Sequence, residues 1–243
     1  MEHLREQFML IHTWAGRTHD LRGTFAAAYV IVTRAIEWGI RAKAFAEPTW
    51  VTQVMLDFGK RYLEALQNHL GGANVIAAWN HAFELRRGGS VQALGALLSS
   101  MVAHIHYDLP QSLHAARPLL PQRIVDYGRI GELIEGSTGE IQELVIDAYA
   151  WDLAPLHRRM NGLDLRLTNS VLRAWRRRAL TVASEMARHP SDAIRWTTRL
   201  DAESAALARC CSRAAHWLQE IQKQNDGTDA IEEPRADELL YDT

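Results

Sequence analysis

Apolar residues recur at helical spacing through most of the chain. Between Trp50 and Leu70 the positions Val51, Val54, Met55, Phe58, Tyr62 and Leu66 fall on one stripe, the pattern of a helix with one buried face. Pro48 suits the first turn of that helix, and Gly71-Gly72 supply the left-handed residue that commonly stops one. A second stripe of Leu94, Leu97, Leu98, Met101 and Ile105 predicts a helix over Val91–Asp108. Pro110 disfavours helical geometry at Leu109, so this helix is expected to stop there. The same reading predicts helices over Leu21–Ala44, Ala73–Arg87, Pro121–Glu135, Gly139–Met160, Asn169–His189 and Pro190–Gln224. No stretch shows the sustained alternation of a strand bounded by hairpin turns. The expected fold is all-α, a single-domain antiparallel multi-helix bundle over residues 1–224 with short connections.

From Asn225 onward the pattern breaks, and Asp226, Asp229, Glu232, Glu233, Asp237, Glu238 and Asp242 face only Arg235 among basic residues. Residues 225–243 therefore read as an acidic, disordered tail. Composition narrows the function classes. The net charge of −2 gives no footprint for a polyanion, so nucleic acid is not an expected partner. The longest apolar run, Phe25–Thr33, is interrupted by Arg34 and Glu37 and falls well short of the roughly 20 residues of a membrane span. The N-terminus, broken by Glu2, Arg5 and Glu6, lacks the layout of a secretory signal. The two cysteines, Cys210 and Cys211, are adjacent and cannot pair on a helix. A cytoplasmic location is the expectation.

Chemistry concentrates where the second helix ends. His104 and Asp108 are four residues apart, so one helical turn sets them side by side. His104 follows Leu97 and Met101 on the apolar stripe and is expected to point inward, whereas His106, turned by about 200°, is expected to face outward. Asp108, in the last turn, feels the negative end of the helix dipole and calls for a cationic partner. Two readings of the pair stand together: a His–Asp hydrogen bond that locks the turn, and a proton-transfer pair whose carboxylate sets the tautomer of the imidazole. Both side chains are also suitable metal ligands.

The segment Ala103-His104-Ile105-His106-Tyr107-Asp108-Leu109-Pro110 resembles the hallmark of an uncharacterised all-helical domain family, roughly Asn-Ala-His-Ile-Asn-Tyr-Asp-Leu-Pro, with Val102 and His106 in place of the two asparagines. Phe25 with Tyr29 and Thr33, Asp57-Phe58 with Tyr62 and Ala65, Trp79 with Phe83, and Ala174-Trp175 extend the resemblance over about residues 20 to 185. It implies an all-α fold, marks Asp57, His104 and Asp108 as special positions, and brings no established activity. A more distant similarity is one of spacing. His104, Asp108 and His114 reproduce the His-x3-Asp-x5-His of zinc-dependent phospholipase C and of fungal single-strand nucleases. That similarity implies a zinc site on these three residues, with Asp57 or His69 available to complete it.

Around this centre, Asp57, Tyr62, Trp79, His81 and Tyr107 are the expected substrate-binding residues. Each has a plainer reading. Asp57 precedes Arg61 by one turn and suits a surface ion pair, and His81 suits a partly exposed helix position. Asp126 and Tyr127 are weaker candidates from a neighbouring helix. Arg173, Arg176, Arg177 and Arg178 with Trp175 form the one basic cluster, read as a solvated helix face rather than a base-stacking surface. No Gly-rich phosphate loop or nucleophile elbow occurs. The resulting expectation is an enzyme acting on a small, largely apolar metabolite in an interhelical pocket, with His104 and Asp108 as its acid–base pair. The chemistry would be cyclisation, elimination, isomerisation or hydrolysis. The alternatives are a hydrolase with a reduced zinc-type site and a non-catalytic ligand-binding or interaction protein.

Overall fold

The computed structural model describes residues 1–117, 120–149 and 163–228. Their regular structure is entirely helical, with no strand among the described residues. The helices are α1 (Glu2–Thr18), α2 (Gly23–Arg41), α3 (Pro48–Leu70), α4 (Ala77–Glu84), α5 (Ser90–Val102), α6 (Leu109–Ala115), α7 (Pro121–Tyr149), α8 (Leu163–Arg188) and α9 (Ala193–Thr228), with one π-helical turn over Ala103–Asp108 between α5 and α6. No described helix is long and apolar enough to cross a membrane.

The segment α5–π–α6 runs through the middle of the molecule. It meets α4 and α9 along α5, α3 at the π turn and α6, and α8 at its far end. Helices α1 and α2 pack on one another, and α7 lies against α2. The main core gathers Phe8, Phe25, Tyr29, Trp50, Tyr62, Trp79 and Phe83, all buried. Phe8 stacks on Tyr29 with 4.1 Å between ring centroids and on Tyr62 with 5.1 Å. Helix α1 lies outside the sequence-predicted elements. Leu4, Phe8, Ile11 and Ala15 nevertheless fall at helical spacing, and Leu4, Phe8 and Ala15 are buried.

Two helices begin at residues that cannot cap themselves, and carboxylates from elsewhere take that role. Asp126 on α7 accepts the backbone N–H groups of Ala46 at 2.9 Å and Glu47 at 2.7 Å, just ahead of α3. Asp201 on α9 accepts those of Ala77 and Ala78 at 3.2 and 3.1 Å, at the start of α4. Asp201 satisfies orphan donors of the first turn of α4, and Asp126 satisfies the two donors at the N-cap and the residue before it that lead into α3. Asp126 and Tyr127 are therefore framework residues, with the Tyr127 hydroxyl donating to the Arg176 carbonyl at 2.9 Å.

Three sequence expectations are corrected here. The helix through Asp108 does not stop before Pro110. The π turn, closed by the Leu109 N–H reaching back to the His104 carbonyl, is wider than an α turn and accommodates a proline in the first turn of α6, where an N–H is dispensable. The expected break between Glu135 and Gly139 is absent, because α7 runs on through Gly136 and Gly139, with Ser137 and Thr138 bonded back to the carbonyls of Leu133 and Ile134. The basic cluster is not a uniformly solvated face. Arg173 is, pairing with Glu135, but Arg176 is buried, donates to the Tyr127 carbonyl at 2.6 Å and lies over the Tyr127 ring. Gly131 makes room for it. A Cβ there would fall 1.7 Å from an Arg176 nitrogen. Helix α9 continues to Thr228, past the expected start of the tail at 225, and residues 229–243 lie outside the described residues, as does the end of the helix expected over Gly139–Met160.

Candidate active site

The π turn determines how the central side chains are presented. Its wider helical step places His104 and Asp108 on the face towards α2, α3 and α4, and still leaves His106 buried on the opposite side. His104 Nδ1 and Asp108 Oδ2 are 2.9 Å apart, and the same Oδ2 accepts the Trp79 indole Nε1–H at 3.0 Å. Only 2% of His104 and 3% of Asp108 is exposed, so this is a polar pair in a dry core.

A carboxylate only accepts hydrogen bonds, so the Nδ1 proton is assigned to His104 and is donated to Asp108. Burial pushes the His104 imidazole below its ordinary pKa by more than Asp108 restores. Burial likewise raises Asp108, against the lowering influence of His104, Arg61 and Trp79. His104 is thus a neutral imidazole whose Nε2 carries a lone pair. That atom is buried and has no hydrogen-bond partner. Such an atom is unusual in a folded protein and calls for an explanation.

Aromatic rings enclose it. Phe58 lies flat against the imidazole with 3.4 Å between centroids, while Phe25 and Tyr29 meet it edge-on at 5.1 and 5.4 Å. Phe25 and Tyr29 are buried, and so is Trp79. Phe58 alone of these four rings reaches solvent.

The remaining expected site residues are dispersed. Asp57 forms the expected ion pair with Arg61, Oδ2 to Nε at 2.8 Å, and Arg61 Nε also meets the Ser112 hydroxyl at 3.0 Å. Burial alone would raise Asp57, but Ser112 and Arg61 hold its carboxyl below the usual range. Tyr62 is entirely buried among Phe8, Phe25 and Trp79, with its hydroxyl 3.4 Å from the Arg22 carbonyl it donates to. It offers no open face to a ligand. His81 points towards α9 and meets the Ser212 hydroxyl at 3.0 Å. Tyr107 is half-buried against Val182, Met186, Leu200 and Trp196.

His106 is corrected from outward-facing to buried. It packs edge-on to Trp175 at 4.9 Å and accepts a hydrogen bond from Arg178 Nη1 at 3.3 Å. Burial, reinforced by the Arg178 charge, lowers its pKa to about 4. The helical wheel placed it correctly opposite His104, but that side is covered by α8 and α9 rather than by water.

His114 does not join His104 and Asp108. Among the described residues no three His, Cys, Asp or Glu side chains converge as a metal site, and the His104 nitrogen nearest Asp108 is already engaged with it. His114 instead lines a cleft between α3, α6 and the α8–α9 turn, together with Arg61, Gln111 and Met186.

The chain is a member of a family of unknown function, DUF5995, which matches residues 2–214. No curated protein and no solved structure matches it. In this DUF5995 member Phe25, Tyr29, Phe58 and Trp79 all surround His104. The sequence reading missed Phe58 as the covering ring and Ser112 as the anchor of Arg61. Phe58 was legible as a stripe residue and as part of the family resemblance, but not as a cover for His104, and Ser112 carried no signal at all.

Proposed function

We propose that this protein is an enzyme acting on a small, largely apolar metabolite, with His104 Nε2 as its proton carrier and Asp108 as the positioning residue behind it. The observation that carries the reading is the unpartnered, buried Nε2 of an imidazole whose other nitrogen is fixed by Asp108, itself fixed by Trp79. A neutral imidazole held in one tautomer is prepared to take a proton from a bound substrate and return it to another position of the same molecule or to a leaving group. When Nε2 is protonated, the imidazolium is stabilised by the Asp108 carboxylate, as in other His–carboxylate pairs. The proton transfer needs only the pair and a shaped, water-poor enclosure, so isomerisation, elimination or cyclisation suits it better than hydrolysis. Substrate would approach from the side of Phe58, whose ring must swing off the imidazole. A zinc-type hydrolase is disfavoured by the missing third ligand.

A second reading follows from the enclosure itself. Four rings already fill the space around His104, and a pair serving only to hold the π turn would look the same at rest. The discriminating experiment is incubation of the purified chain with a small-molecule extract, followed by mass spectrometry. Wild type consumes a species that folded His104→Gln leaves untouched; if the two profiles coincide across extracts, the catalytic reading fails and the structural one stands.

A further inference from the structure

Beside Phe58, one turn along α3, Arg61 faces the cleft that also contains Gln111, His114, Ala115, Met186 and Pro190, with a volume of about 240 Å³. We propose that this cleft binds a small organic carboxylate, its charged end on Arg61 and its apolar body against Met186 and Pro190.

The argument begins with the guanidinium. Its Nε is held by both Asp57 and Ser112, which fixes the plane of the group before any ligand arrives. Among the described residues neither Nη nitrogen has a protein acceptor. What remains is a planar pair of donors suited to a carboxylate. A pre-oriented fork of this kind loses little freedom on binding.

The lining then selects the ligand. It contains no acidic side chain, since Asp57 engages Arg61 through Nε. His114 contributes a buried Nδ1 without a partner, a second polar atom able to meet an oxygen. Gln111 and Thr197 add polar groups, and Ala115, Met186 and Pro190 form the apolar part of the wall, so a bare inorganic anion would leave Met186 and Pro190 uncovered. At water's share of about 30 Å³ per molecule, the volume holds a ligand of roughly eight to ten non-hydrogen atoms. A monocarboxylate with one ring or a short branched chain has that size.

This names a substrate class for the acid–base reading and rests on it only for the ligand's later fate. Binding is separable. The probe is benzoate, titrated into the isotope-labelled full chain and followed by amide chemical shifts, with benzamide as its uncharged counterpart. Benzoate is expected to shift the amides of Gln111, His114 and Ala115, and benzamide is expected to bind at least about tenfold more weakly. Arg61→Gln should weaken benzoate by a similar factor, and Ala115→Trp, which fills the cleft from an exposed position, should abolish binding with Arg61 intact. His104→Gln should bind benzoate as wild type does, so loss of turnover there leaves the cleft assignment standing. The proposal is overturned if benzoate moves no cleft amide, if benzamide titrates equally well, or if Ala115→Trp binds unchanged.

Discussion

Trp79 and Asp108 meet through a 3.0 Å hydrogen bond from the indole Nε1–H to Oδ2, the oxygen that also holds His104. Helix α4 is therefore tied to the π turn through a single carboxylate oxygen of a residue that is only 3% exposed. Asp108→Leu strands two buried donors, the Trp79 indole and the His104 Nδ1–H, at about 1–3 kcal/mol each. Chemical denaturation should register a loss on the order of 2–5 kcal/mol. Replacing all three polar groups, as Trp79→Phe, His104→Phe and Asp108→Leu together, removes the stranded donors and should recover most of that loss. Recovery would mean that the polar trio is not required for stability, which strengthens the case for chemistry. A triple variant less stable than Asp108→Leu would favour the structural reading.

The pair itself was readable from four-residue spacing, because a side chain one turn along a helix is a neighbour whatever the tertiary structure. What surrounds the pair was not. The outward assignment of His106 treated the far side of the helix as solvent, but a central helix has no solvent side, and only the packing of α8 and α9 reveals that. Pro110 looked like a stop because the rule for the residue before proline assumes α geometry, and the π turn changes it. Helix α1 was legible in Leu4, Phe8, Ile11 and Ala15, although the charged residues between them obscured the stripe. The His114 spacing suggested zinc, yet spacing along one chain cannot place a third ligand on the far side of a turn.

His106 makes stability depend on pH. Its folded pKa of about 4 lies below the value of about 6.5 expected when unfolded. Between those values the unfolded chain binds more protons than the folded one, so stability falls as pH drops from about 6.5 towards 4. Arg178, which donates to its Nδ1, and Glu203, which pairs with Arg178, are the charged groups facing it. Unfolding free energies from urea titrations at pH 7 and pH 4.5 should differ by on the order of 2 kcal/mol more in wild type than in His106→Gln. Equal pH slopes in the two proteins would remove His106 as the source.

Gly131 and Arg176 should behave as a coupled unit. A methyl group at 131 would fall inside the guanidinium, 1.7 Å from its nearest nitrogen, so Gly131→Ala forces the arginine off the Tyr127 carbonyl. The expected loss is about 1–3 kcal/mol. In Arg176→Met the same glycine substitution should cost much less, because the flexible thioether can move aside. A double-mutant cycle by thermal unfolding measures that coupling; strictly additive effects would mean that the two residues do not compete for the space.

Asp126 and Asp201 should differ in how much their helix starts depend on them. Each accepts two backbone N–H groups, but Asp126 is buried to 1% exposure and its hydrogen bonds, at 2.9 and 2.7 Å, are shorter than the 3.2 and 3.1 Å of Asp201. Loss of a cap costs about 0.5–2 kcal/mol, and Asp126, the more buried carboxylate with the shorter hydrogen bonds, sits towards the top of that range. Asp126→Ala should therefore lower the unfolding temperature more than Asp201→Ala. Amide exchange should quicken at Ala46 and Glu47 in the first variant and at Ala77 and Ala78 in the second.

Phe58 decides whether His104 can meet anything from outside. Its ring covers the imidazole at 3.4 Å and is the one member of the enclosure that reaches solvent. Phe58→Ala should admit water to Nε2 and relieve the burial that lowers the His104 pKa. Nitrogen chemical shifts of labelled histidine report both changes: the wild-type imidazole keeps its Nδ1–H form to lower pH than the variant, whose titration moves back towards the ordinary histidine range. Asp108 remains in place to stabilise the imidazolium, so the upward movement should be smaller in Phe58→Ala combined with Asp108→Asn. If His104 titrates identically with and without the Phe58 ring, the ring is not the barrier and substrate must enter from another direction.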